Sequence, residues 1–242
     1  MHKKSHGYAD RLKHLKNVLH FLTTNSSVDH VSDARRLLCA FSDSLDKLPP
    51  SKWKKQFPKL EIPIESSDLT HHNPVLIIGG VIEGNGCEIT FSSLSFCISF
   101  ATDSSYQVKS SDSCCLKSQG NQRRIVRRFH FDYQPQSKGH PVSHLQYGGK
   151  FPTVPEYSAY HYCIEDFIEN PRFHYPPIDI VLLLDMLLNE FPTSLSRLSS
   201  EREWRGYVLK SQNLWWKGYV DDLKACVSNP QGKTFHEIIC SD

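Results

Sequence analysis

A chain of 242 residues with 39% apolar residues can close one substantial core, and its composition is neither fibrous nor that of a disordered segment. The formal charge of +2 is too small to demand nucleic acid as a partner. Eight cysteines, at 39, 87, 97, 114, 115, 163, 226 and 240, contain no C-x-x-C pair, which excludes zinc-ribbon and thioredoxin-like motifs.

The first residues, Met-His-Lys-Lys-Ser-His-Gly-Tyr, lead into an amphipathic segment rather than an apolar one, so no secretory signal is expected. The expectation is a cytoplasmic, reduced location with mostly buried thiols. Leu12, Leu15, Leu19 and Leu22 recur at helical spacing over residues 8 to 23. Ala34, Leu37, Leu38, Phe41, Leu45 and Leu48 do so over 31 to 48, where Pro49-Pro50 ends the pattern. Two amphipathic helices therefore occupy residues 1 to 50. Between 49 and 74 the chain is basic (Lys52, Lys54, Lys55, Lys59) and broken by proline. It reads as a linker in which Leu60, Ile62 and Ile64 could form a short edge strand.

From Pro74 the pattern turns to β. Two strand-rich runs flank Asn85-Gly86, a strong hairpin signal, and the second continues to Phe100. Glycines 79, 80, 84 and 86 lack the Gly-Lys-Ser/Thr that a phosphate loop needs. The Ser-rich stretch 102 to 121 reads as a loop.

Residues 123 to 149 hold the densest chemistry. With period-two alternation, Ile125, Arg127, Phe129, Phe131 and Tyr133 share one face. Arg124, Val126, Arg128, His130 and Asp132 share the other. Ser143, Leu145 and Tyr147 likewise oppose Val142, His144 and Gln146. A hairpin that buries the aromatics together puts His144 and Gln146 beside His130 and Asp132, with His140 at the exit of the turn. The polar face thus comprises Arg124, Arg128, His130, Asp132, His140, His144 and Gln146.

Three chemistries suit that set. His130, Asp132, His140 and His144 are suitable ligands for a divalent ion, but their spacing matches no helix-borne zinc motif. His130 and His144 could exchange protons with a phosphodiester while Asp132 orients one imidazole and Arg124 or Arg128 neutralises phosphate. The same residues could satisfy one another by hydrogen bonds on a binding or structural surface. The third reading is preferred, so no catalytic residue, metal or cofactor is assigned. If the protein is an enzyme, the catalytic candidates are His130, Asp132 and His144.

Further on, Pro176-Pro177 open an apolar run from Ile178 to Phe191, too short to cross a bilayer and therefore a buried helix. Asp179 falls in its first turn, while Asp185 is mid-helix and needs a buried partner, for which a hairpin arginine is the candidate. Residues 194 to 227 form one long or two shorter helices bearing Trp204, Tyr207, Trp215, Trp216 and Tyr219. His71-His72, Glu165-Asp166 and Asp221-Asp222 have no partner identifiable from the sequence.

The run Phe-His-Phe-Asp-Tyr, then His-Pro-Val-Ser-His-Leu-Gln-Tyr-Gly-Gly, then Pro-Pro-Ile-Asp-Ile-Val-Leu-Leu-Leu-Asp, resembles an uncharacterised bacterial family. Its members carry similar aromatic-His-Asp and His-Pro-x-x-His-Leu signatures, and the likeness spans about residues 75 to 190. The resemblance implies a bacterial or mobile-element origin, with defence loci as a setting, and no established activity.

The expected fold is a single α+β domain: a helical part at 1–50, an antiparallel sheet of about four to six strands at 74–150, and a helical layer at 156–228. The expected function is a non-catalytic binding component of a multiprotein system, contacting a protein subunit or nucleic acid and no membrane. The alternative is a nuclease or phosphodiesterase centred on the 123–149 hairpin.

Overall fold

The computed structural model describes residues 6–67, 73–101, 123–134, 142–148, 160–161 and 172–228. Their elements are α1 (His6–Thr24), α2 (Ala34–Asp46), β1 (Lys52–Pro63), β2 (Val75–Asn85), β3 (Glu88–Ala101), β4 (Arg123–Tyr133), β5 (Ser143–Tyr147), β6 (Tyr160–His161), β7 (Arg172–His174), α3 (Ile180–Glu190) and α4 (Arg202–Ser228). The sheet runs β1-β2-β3-β4-β5-β7, antiparallel throughout, and β6 adds a short parallel pairing to β4. This is the expected α+β fold, with two extensions.

The first extension is β1. The basic segment read as a linker is a full edge strand, paired from Lys52↔Asn85 to Pro63↔Val75 with an irregularity between Phe57 and Leu60. Lysines and prolines lower strand propensity, yet they are what an outer strand carries to discourage pairing with another chain. The second is that β6 and β7 fall in the stretch read as helical from 156, and the first helix described after them begins at Ile180.

One face of the sheet is the floor of the core. Phe57, Ile62, Leu76, Ile78, Leu94, Phe96, Phe131 and Tyr133 join one cluster with apolar residues of all four helices. Inside it, α3 contributes seven buried side chains, from Ile180 to Leu188. Each is worth roughly 1.5–3 kcal/mol of burial as an upper estimate. Asp179 caps that helix, its Oδ1 accepting the Leu182 N–H at 2.9 Å. Asp185 does find a buried partner, but not a hairpin arginine: the Trp204 indole N–H of α4 donates to its Oδ1 at 2.9 Å. An uncharged donor already in the core satisfies that oxygen without the cost of desolvating a guanidinium.

The β2–β3 turn lies where Asn85-Gly86 announced it, with Gly86 at φ +57° and Asn85 paired to Glu88. Gly86 therefore takes the first central position of a primed turn, one residue later than a central Asn-Gly pair would. Gly84 is needed for another reason. A Cβ there would meet the Glu88 carbonyl at 2.1 Å and the Trp53 ring at 2.2 Å.

No helix among the described residues is long and apolar enough to cross a membrane. Of the cysteines whose side chains are described, Cys97 is buried, as expected of a thiol, but Cys39 and Cys87 are exposed. Cys87 is carried to the surface by the turn and Cys39 by the outer face of α2.

Candidate functional site

The β4–β5 hairpin has the register that the alternation required: Phe129↔Tyr147, His130↔Gln146, Phe131↔Leu145, Asp132↔His144 and Tyr133↔Ser143. Aromatics meet aromatics, with Phe129 and Tyr147 edge to face at 5.4 Å and Phe96 stacked on Phe129 at 4.8 Å. On the opposite face of the sheet lie Arg128, His130, Asp132, His144 and Gln146, away from the helices.

Two residues depart from the expected alternation. The β3–β4 register shifts between Ile98↔Arg127 and Ser99↔Ile125, so Val126 is an extra residue on β4. Such a bulge reverses the phase of everything before it. Ile125 accordingly shares a face with Cys97 and Arg128 rather than with Phe129, and position 124 falls out of phase with 128, 130 and 132. Ile77, Cys97 and Ile125 are each at most 2% exposed, yet none joins the main apolar cluster. They form a small apolar patch on the polar face. The backbone of Arg124 pairs with Phe100 and His161, while its side chain and all of His140 lie outside the described residues.

Asp132 is the hub. Its Oδ1 is 3.0 Å from His130 Nε2 and its Oδ2 is 3.3 Å from His144 Nε2. Burial alone would push this carboxyl up, but the two imidazoles outweigh burial and hold it well below the usual carboxylate range. Both approaches are ones of proximity rather than linear hydrogen bonds: Asp132 Oδ1 and both nitrogens of His144 are buried with no hydrogen-bond partner among the described residues.

β3 supplies what the sequence reading did not assign. Ser93 stands opposite Asp132 and Ser95 opposite His130, and Ser93 Oγ lies 2.5 Å from His130 Nε2. The period-two set Ser93, Ser95, Cys97, Ser99 was a legible signal of a polar strand face. On the far side, His174 of β7 stands opposite His144. Arg128 Nη1 donates to the Gly148 carbonyl at 2.8 Å, and the Gly148 N–H returns to the Arg128 carbonyl at 2.9 Å. This arginine thus clamps the end of β5, its side chain 3% exposed. Its neighbour Cys97 is pushed up to about 12 by burial, against the opposing pull of the Arg128 charge, and remains an un-ionised thiol.

Comparison with family models, curated proteins and solved structures gives no match for this chain.

Ser93, His130 and Asp132 suggest a nucleophile, base and orienting acid, but their connectivity differs from a relay. In a catalytic triad the serine and the carboxylate engage different imidazole nitrogens. Here both address Nε2. The carboxylate that would orient the ring from its second nitrogen in a triad stands instead on the same nitrogen as the hydroxyl. Among the described residues no group of three or more His, Cys, Asp or Glu side chains is arranged to hold a metal ion.

Proposed function

We propose that this protein is a non-catalytic binding component of a larger assembly, contacting a protein subunit or nucleic acid. The observation that carries this reading is the sharing of His130 Nε2 between Ser93 and Asp132. It ties the imidazole across to β3 through Ser93 and along its own strand to Asp132, and it leaves the carboxylate off the second ring nitrogen, where a triad would need it. Asp132 and His144 extend the ties to β5, so the cluster joins three strands. The Arg128, His130, Asp132, His144 and Gln146 face then serves to hold the outer strands in register. Recognition falls to what those strands and α4 present outward, including Phe173 of β7, which is 53% exposed. The bacterial resemblance would put such an assembly in a mobile-element or defence setting.

The competing reading, a nuclease or phosphodiesterase, draws on the same short Ser93–His130 contact. One assay separates the two. Wild type and His144→Ala are incubated with bis(p-nitrophenyl) phosphate and with a single-stranded oligonucleotide, and their melting temperatures are recorded. No hydrolysis by either protein, with a lowered melting temperature in the variant, is the expected result. Hydrolysis by wild type that His144→Ala abolishes at unchanged melting temperature would establish the enzyme instead.

A further inference from the structure

The outward face of α4 carries a pattern that the core does not use. Leu209, Val220 and Val227 are 62%, 39% and 82% exposed, and Leu223 between them is half-buried. At 3.6 residues per turn, positions 209, 220 and 227 fall on one stripe, and the steps 220, 223, 227 are those of a coiled-coil seam, while Trp216 before them turns to the core and donates its indole N–H to the Pro177 carbonyl. Asn213, exposed, takes a seam position where a polar residue sets register. Beside the stripe, Lys210, Lys217 and Lys224 recur every seventh residue, all exposed. No described carboxylate lies within ion-pair distance of any of the three; Asp221 lies one turn beyond Lys217 on its outer side, and Glu203 accepts the Tyr207 hydroxyl.

We propose that this stripe of α4 docks an amphipathic helix of a partner protein whose seam is aliphatic and whose flanking positions are acidic. This names the partner of the binding component and rests on that reading. A heptad seam of aliphatic side chains suits a helix, because a nucleic-acid backbone offers it no apolar area to bury. The lysine row selects the charge. It also argues against a second copy: antiparallel pairing would set Lys against Lys, and parallel pairing would set it against Gln212 and Tyr219. The positive row thus repels antiparallel self-pairing and finds no charge partner in a parallel one, while it attracts Glu-flanked helices.

The probe is a synthetic peptide of about three heptads with Leu and Val at the seam and Glu at the flanking positions, compared with the same peptide bearing Lys there. Titrated into the full chain, the Glu peptide is expected to bind at least about tenfold more tightly than the Lys peptide, with affinity falling as salt rises. Val227→Asp with Leu209→Asp, at exposed positions, should abolish binding without changing the melting temperature. Lys210→Glu with Lys217→Glu and Lys224→Glu should invert the preference. Equal binding of both peptides, no binding of either, dimerisation of the free chain in sedimentation, or loss of the peptide to competing anionic vesicles or oligonucleotide would each overturn the proposal. Phosphodiester hydrolysis is followed in the same samples, so failure of the docking face is told apart from failure of the non-catalytic reading.

Discussion

Asp132 on β4 stands directly opposite His144 on β5, and its carboxylate also reaches His130 two residues back along its own strand. A half-buried anion held between two imidazoles on one sheet face is a device for fixing register, because a one-residue slip would move His144 to the other face. The surrounding geometry agrees: Ser93 ties β3 to His130 of β4, and Arg128 of β4 bonds the Gly148 carbonyl just past β5.

His144→Ala should remove one of the two imidazoles that stand against Asp132. With His144 4% exposed and Asp132 17%, the expected loss is about 2 kcal/mol, short of the figure for a fully buried pair. For a chain of this size that is a fall in melting temperature of roughly 4–8 °C, read by calorimetry.

The buried network of α1 and α4 makes a pH prediction of defined sign. His14 Nε2 meets Ser211 Oγ at 2.8 Å, and that hydroxyl meets Asp179 Oδ2 at 2.7 Å. Burial first, then the nearby Lys210, lowers His14 to about 4. The unfolded chain therefore binds more protons than the native one between the ordinary histidine value and pH 4. Stability must fall as pH drops through that window, by up to about 3 kcal/mol from this group. Asp179 contributes with the opposite sign, since burial raises its carboxyl despite its hydrogen bonds. The difference between wild type and His14→Gln isolates the histidine. Urea midpoints at pH 7, 5.5 and 4.5 should converge toward acid, and parallel curves would remove the idea.

Much of this was legible from alternation alone. The pairings of 129–133 with 143–147 follow from burying Phe129, Phe131, Leu145 and Tyr147 together. Val126 was not legible, because a bulge is set by the partner strand and no residue type marks it there. β1 was obscured by the lysines that guard an edge. His174 lies in the three-residue strand β7, too short for any period to register. Ser93 required knowing that β3 neighbours β4.

Trp204 and Asp185 offer a test of the core. Trp204→Phe and Asp185→Ala should each destabilise, and the double variant should lose less than the sum by about 1 kcal/mol, since both remove one hydrogen bond. Strict additivity in urea melts would show that the indole bond contributes nothing.

Gly84→Ala should cost more than its single methyl suggests. The added carbon meets backbone as well as the Trp53 ring, so trimming the ring cannot relieve it. A loss of about 2–4 kcal/mol is expected, with little recovery in Gly84→Ala/Trp53→Leu, measured by urea denaturation.

The most direct measurement is a double-mutant cycle across the hairpin, with Asp132→Asn, His144→Ala and the pair, followed by urea unfolding at pH 7. If the polar face exists to hold the strands, both single variants lose stability and the cycle returns a coupling of about 1–2 kcal/mol. If instead both singles melt as wild type does and the coupling is zero, the cluster is not a structural tie, and the case against a catalytic role for His130, Asp132 and His144 falls with it.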